Sequence, residues 1–335
     1  MKKITILRLC FFIHALIFCV SSQAEPIKDP LPSWNEGANK KAILDFVQAT
    51  TDKKNSQFVP LEQRIATFDQ DGTLWVEKPI YVEVIFALDR VIALAPKHPE
   101  WKHKEPFKSL ISGDKLAIST FTMKQLEEII MATHTGMTVE AFNLIVKDWI
   151  KKAKDPRWNR LYTELVYQPM LEVMNLLRVN GYKIYIVTGG GQNFVRVFAD
   201  EVYHVSAERV IGSALSTKYG YDKQGKGILI KSPTVLLNDN LSGKPEDIYL
   251  FIGRHPQAAF GNSTGDQQMI EYTQAAKGIH LLMLVHHDDA QREYAYGAQS
   301  KVGTFSKALM SEATKRGWHV ISIKKDWKRV FPFDL

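Results

Sequence analysis

The chain is 335 residues long with 45% hydrophobic and 24% charged residues, which supports a large core and excludes disorder as its main state. Of the formal charge of +7, three units belong to Lys2, Lys3 and Arg8, leaving +4 on residues 25–335. With no dense Lys/Arg cluster interleaved with aromatics, the expected partner is a small anionic substrate and not nucleic acid.

Residues 1–24 have the form of a secretory signal. Lys2, Lys3 and Arg8 precede the apolar run 9–20, and Ser22 and Ala24 stand at the two small-residue positions before a cleavage site. Phe18 is bulky where a lipoprotein signal carries a small residue, so cleavage after Ala24 is favoured over lipidation at Cys19. The expectation is an exported protein, periplasmic or secreted, with no stable membrane association, because no later run reaches the roughly 20 apolar residues of a span. Both cysteines, Cys10 and Cys19, fall within this segment, so residues 25–335 must be held by their core and not by disulfides.

"EPIKDPLPSW" carries three prolines in seven residues and reads as a linker, followed by helical spacing over 36–50. Residues 25–63 are thus a linker and a helix. The main domain is expected to begin at Arg64 with the apolar strand of "RIATFDQDGTLW". Helical periodicity then fills 81–95, 123–132 and 139–152, so 76–167 reads as a helical insert directly after the first strand. From 168 to 335, strands at 182–187, 209–215, 257–260, 278–286 and 319–324 alternate with helices at 170–180, 192–203, 267–276 and 301–316. This is the pattern of a doubly wound, parallel α/β sheet. Gly181 is placed to cap the helix before it, and "KYGYDKQGKGILIKS" reads as a β-hairpin.

Ligands of such a sheet sit beyond the carboxyl ends of the strands. Asp69 and Asp71 are two apart at the first of these ends, so in extended chain their carboxylates share one side, and Gly72 lets the backbone turn. One acid can serve as nucleophile and the other as proton carrier; a plain Asp-Gly turn is the alternative. "VTGGG" ends the next strand with the Thr188 hydroxyl and three glycines, which suit an anion or a simple turn. Lys244, in "LSGKPED", is a candidate to neutralise a phosphoryl group, with Lys231 its rival. "FGNSTGD" offers Asn262 and Asp266 as oxygen ligands for a hard cation. His286 and His287 in "VHHDDA" read as a polar strand end, because adjacent strand residues point to opposite faces. Glu77 and Lys78 stand at the entry to the insert, within reach of substrate. His134, Trp149, Trp158 and Tyr162 are candidates for the insert's inner face, or for its core.

Taken together, "DQDGT", "TGGG", Lys244 and "FGNSTGD" resemble, in order and at comparable strand ends, the four motifs of the haloacid dehalogenase superfamily. The long helical insert resembles its first type of cap, C1. The branch resembled is that of phosphoserine phosphatases and bacterial non-specific acid phosphatases. The resemblance implies a Rossmann-like core (64–75 and 168–335) with a helical cap (76–167), and a Mg²⁺-dependent phosphatase of small phosphomonoesters. It implies Asp69 as the nucleophile that forms an aspartyl-phosphate and Asp71 as acid and then base. Gly72, Thr73, Thr188, Gly189 and Lys244 would hold the phosphoryl oxygens, and Asp69, the Asp71 carbonyl, Asn262 and Asp266 the metal. The superfamily often has Asp where Asn262 stands, which lowers the charge on the metal side and leaves open whether Asn262 or Asp266 is the closer ligand. Alternatives are a dehalogenase of the same superfamily, against which Asp71 argues, and a catalytically silent binding protein on this scaffold.

Overall fold

The computed structural model describes residues 29–334. The signal segment lies outside the described residues. Among those described, no helix is long and apolar enough to cross a membrane.

In chain order the core opens with α1 (Ala38–Thr51) and β1 (Ile65–Phe68). The insert holds α2 (Val82–Leu94), α3 (Phe107–Ser112), α4 (Lys115–Ser119), α5 (Met123–His134), α6 (Val139–Ile150) and a small ladder of β2 (Lys154–Asp155) and β3 (Arg160–Leu161). The core resumes with α7 (Gln168–Val179), β4 (Lys183–Gly191), α8 (Gln192–Arg196), α9 (Ala199–Tyr203), β5 (Val210–Tyr221) and β6 (Gly227–Leu237). It closes with α10 (Gly243–Ile252), β7 (Ala258–Gly261), α11 (Gln267–Gln274), β8 (Leu281–His286), α12 (Lys307–Arg316), β9 (His319–Ser322) and α13 (Ile323–Asp326).

One sheet of order β6-β5-β4-β1-β7-β8-β9 organises the core. Every pairing in it is parallel except that of β5 with β6. β1 lies between β4 and β7, so the strand order reverses at its carboxyl end and opens a crevice there. All four residues of β1 are buried, which fits a strand covered on both faces. Phe68 stacks on Phe260 of β7 with ring centroids 4.3 Å apart, fixing the register beneath Asp69.

The insert has its own apolar cluster, in which Ala87 and Val91 of α2 meet Trp101, Phe107, Leu110 and Ile129. Its helices start where the sequence supplies caps: the Thr122 hydroxyl accepts from Gln125 N–H in a capping box, and Thr138 caps α6. The two strands linking insert and core run side by side, with Val76 N–H bonded to the Leu165 carbonyl and Tyr167 N–H to that of Leu74. Trp149 and Trp158 pack against the main core, and Tyr162 lies inside it.

Four elements differ from their sequence reading. The proline-rich stretch is no free linker over its described part, because Leu31 and Trp34 are buried, Ser33 bonds Glu172, and Trp34 Nε1 donates to the Pro169 carbonyl. The helix expected over 192–203 breaks into α8 and α9 around Val197 and Phe198. α12 begins only at Lys307, where Ser306 caps it, and residues 301–305 instead run as a loop over the site. β9 stops at Ser322, whose hydroxyl caps α13. The hairpin forms with Asp222 Oδ1 accepting from the N–H groups of Gln224 and Lys226, and with Gly225 at φ 79°.

Candidate active site

Asp69, Asp71, Thr188, Lys244, Asn262 and Asp266 converge at the carboxyl ends of β1, β4 and β7. Asp69 leaves β1 with its N–H bonded to the Phe260 carbonyl. The Lys244 Nζ donates to Asp69 Oδ1 at 2.6 Å, to Asp266 Oδ1 at 2.6 Å and to the Val187 carbonyl at 2.8 Å. All three of its donors are thereby used, and the ammonium is sealed at 1% exposure. Lys231, the rival lysine, lies elsewhere: it is buried where β6 meets the insert, bonded to Asn193 Oδ1 and set over the Phe142 ring.

The second acid has different surroundings. Trp75 Nε1 donates to Asp71 Oδ1 at 2.7 Å, and a Cβ built on Gly190 would meet both Asp71 Oδ2 and Glu83 Oε2 near 3.5 Å, which puts these two carboxylates side by side. Burial, reinforced by Glu83 and opposed by Trp75, pushes the Asp71 carboxyl up to about 7. Burial and the charge of Asp266 push Asp69 up as well, against the pull of Lys244.

Backbone donors are arranged differently from their reading in the sequence. Gly72 N–H is bonded to the Trp75 carbonyl and Thr73 N–H to that of Gln70, so both close the turn. The N–H groups of Gln70 and Asp71 make no hydrogen bond among the described residues and are the donors left for an anion. Thr73 contributes its hydroxyl, within 3.3 Å of Asp69 Oδ2 and 3.2 Å of Asn262 Oδ1. The glycines of "TGGG" do not form a strand-to-helix turn; they continue β4 through a bulge between Thr188 and Gly191. Gly190 N–H bonds the Thr188 hydroxyl and Gly191 N–H bonds Glu83 Oε2, and Gly189 lies against the loop at Asp239 and Asn240.

The residues present fit a hard divalent cation. Asp69 Oδ2 and Asn262 Oδ1 face one hydroxyl, and the Asp71 carbonyl accepts no bond among the described residues. Asp69, Glu77 and Asp266 are buried and Asp71 is half-buried, while the cations beside them are Lys244, tied to Asp69 and Asp266, and Lys78, next to Glu77. This leaves an excess of negative charge that a divalent cation would offset. Asp266 is committed to the loop: its Oδ1 is held by Lys244, and its Oδ2 accepts from the N–H groups of Asn262 and Ser263 and from the Ser263 hydroxyl. Asn262 therefore has the freer oxygen.

Two residues of the site carried only a weak signal in the sequence. Glu77 is fully buried, with its Oε1 accepting from Asn262 Nδ2 and from the Tyr296 hydroxyl, both at 2.7 Å. His287 does not end a strand as a solvated polar residue, since β8 stops at His286 and the chain turns inward. Its ring is buried with Nε2 2.7 Å from the Gly72 carbonyl.

A mostly parallel sheet carrying two aspartates at its switch point, answered by a buried lysine and followed by a helical insert, defines a Rossmann-like α/β fold with a candidate active site at its strand ends. The chain belongs to the haloacid dehalogenase-like hydrolases, whose family model matches residues 63–231. No curated protein matches it. Among solved structures it is similar to a conserved protein of unknown function from Anaerococcus prevotii DSM 20548, at 16% identity and TM-score 0.57, covering 91% of this chain and 98% of that one. It is also similar to a phosphoserine phosphohydrolase-like protein from Francisella tularensis subsp. tularensis SCHU S4, at 14% identity and TM-score 0.40 over 77% and 94% of the two chains. A third is a probable phosphoserine phosphatase from Vibrio cholerae, at 13% identity and TM-score 0.37 over 80% and 69%.

Proposed function

We propose that this hydrolase is an exported, Mg²⁺-dependent phosphatase of small phosphomonoesters that works through an aspartyl-phosphate. The observation that carries the reading is the placement of its two aspartates. Burial and Asp266 raise the Asp69 carboxyl to about 8 against the pull of the Lys244 ammonium, which holds its Oδ1 at 2.6 Å, and burial with Glu83 raises the Asp71 carboxyl to about 7. Asp69, holding a divalent cation, would favour its ionised, nucleophilic form and leave Asp71 as the group that carries a proton.

In the first step an Asp69 carboxylate oxygen bonds to phosphorus as the bond to the leaving oxygen breaks, and Asp71 donates its proton to that oxygen. In the second, the Asp71 carboxylate takes a proton from water, the water oxygen bonds to phosphorus, and the bond to Asp69 breaks. The Thr188 hydroxyl and the free N–H groups of Gln70 and Asp71 would hold the phosphoryl oxygens through both steps, and Lys244, its three donors held by Asp69, Asp266 and the Val187 carbonyl, would supply positive charge beside them. The Mg²⁺ would be held by Asp69, the Asp71 carbonyl and Asn262, with Asp266 shaping that loop. When bound it supplies positive charge against the approach of an anionic nucleophile to an anionic ester.

The test is turnover of p-nitrophenyl phosphate by wild type and Asp69→Asn, with and without Mg²⁺. Wild type is expected to turn over only with the metal, and Asp69→Asn to lose at least about 10³-fold. No metal-dependent turnover between roughly pH 4 and 8 would overturn the reading. Export is tested by the first residue of the secreted or periplasmic protein, expected to be Glu25.

A further inference from the structure

Residues 287–304 form a strap that crosses from the end of β8 over the turn carrying Asp69 and Asp71. His287 Nε2 lies 2.7 Å from the Gly72 carbonyl, and a carbonyl can only accept, so that nitrogen carries the hydrogen. Its Nδ1 lies 2.9 Å from Glu293 Oε2, while Glu293 Oε1 accepts from the Tyr167 hydroxyl at 3.3 Å. Glu293 is fully enclosed and His287 almost so. The Tyr296 ring stacks on the imidazole at 4.4 Å and donates its hydroxyl to Glu77, so ring plane and reach are both fixed.

The held carbonyl is not an arbitrary one. Gly72 has φ 79°, and a Cβ there would come within 2.1 Å of Asn262 Nδ2 and 2.4 Å of Glu77 Oε1, so this peptide is packed between the two motifs. Gly72 N–H is bonded to the carbonyl of Trp75, whose indole Nε1 in turn holds Asp71 Oδ1. A short chain of bonds thus runs from Glu293 through His287, Gly72 and Trp75 to the acid.

We propose that His287, oriented by Glu293, is a positioning residue that locks the Gly72 carbonyl and so sets the angle between Asp69 and Asp71. This rests on the phosphatase reading for its kinetic consequence, but not for its structural one. The imidazole touches no reacting atom; it removes the freedom of the Gly72–Thr73 peptide, in the turn that directly follows the two acids. Misplacement of about 1 Å in such a constellation costs on the order of 100-fold in rate.

The experiment measures two quantities on full-length wild type, His287→Phe and His287→Gln: amide hydrogen exchange of residues 69–76, and the kinetic parameters for p-nitrophenyl phosphate with Mg²⁺. His287→Phe is expected to speed exchange in that segment and to lower kcat about 10- to 100-fold with little change in KM. His287→Gln, whose amide donates from a comparable distance, is expected to restore most of both. Should His287→Phe fail to fold, His287→Asn, too short to reach the carbonyl, replaces it in the same comparison. Wild-type exchange and kcat in the variant that cannot reach overturn the proposal, as does a Gln variant no better than that one. Absence of turnover in wild type overturns the phosphatase reading alone, and the exchange measurement still decides the brace.

Discussion

Lys244 and Asp69 form an ion pair of 2.6 Å in which neither side chain is more than 9% exposed, and the same ammonium holds Asp266 at 2.6 Å. One buried cation thus answers both the nucleophile and the loop that carries Asn262. Replacing it by Met keeps the bulk and strands two carboxylates. Lys244→Met is therefore expected to abolish turnover and to destabilise by about 3–5 kcal/mol near neutral pH, as breaking a buried pair does. Denaturant unfolding should show that loss shrinking in acid, where both carboxyls take up protons. A variant as stable as wild type at pH 7.5 would remove Lys244 from this role.

Asn262 departs from the superfamily's common Asp, and its surroundings give a physical reason. Its Nδ2 donates to Glu77 Oε1 at 2.7 Å, so an Asp there would set two carboxylates against each other. Asn262→Asp is expected to fold less stably without metal and, because it adds a carboxylate to the metal side, to need less Mg²⁺ for half-maximal rate. Adding Glu77→Gln restores a donor opposite the new acid and should recover much of the lost stability. A double-mutant cycle on melting temperature without metal would show coupling beyond the roughly 0.5 kcal/mol expected of independent sites. Additive losses would mean that the contact carries no energy.

The core is legible because β1, β4 and β7 are short apolar runs that lead into Asp69, Thr188 and Asn262. The order of these motifs, at comparable strand ends, carries the resemblance. What the sequence hid lies where periodicity says nothing. His287 reads as a polar strand end, whereas it follows β8 and is buried against the Gly72 carbonyl. Glu293 and Tyr296 sit in a loop, although a run as dense in titratable and aromatic residues as "HHDDAQREYAY" is a signal that a solvated turn does not account for. The N–H groups of Gly72 and Thr73 looked free because the tight turn that consumes them returns to Gln70 and Trp75, a local closure the Asp-Gly pattern does not specify.

Asp239 offers a test of stability outside the catalytic pair. It is fully buried with neither carboxylate oxygen hydrogen-bonded, and burial, with Asp247 beside it, raises its carboxyl to about 7 from an ordinary 3.8. A group raised on folding contributes stability that is complete below the unfolded value and is lost as pH climbs through the folded one. Wild type should therefore lose melting temperature between about pH 4 and 7 without metal. Asp239→Asn, which cannot ionise, is expected to show a shallower decline and to melt higher than wild type at pH 8. Parallel curves for the two proteins would mean that Asp239 is ionised throughout.

Glu83 of the insert and Asp71 of the core both border Gly190, and the charge of one acts on the other in a way readable in the pH dependence of the rate. Asp71 must be protonated to release the leaving alcohol, so kcat/KM should fall as pH rises through its value of about 7. Burial contributes most to that elevation and Glu83 adds to it by repulsion. Glu83→Gln keeps an oxygen for the Gly191 N–H, now bonded at 2.6 Å, while removing the charge. The falling limb should then move to lower pH, and in Asp71→Asn it should vanish with most of the activity. Rate profiles from pH 5 to 9, a span chosen to bracket about two units either side of 7, decide the matter. A limb that stays in place in Glu83→Gln would show that Glu83 does not act on the acid and that another group limits the reaction at high pH.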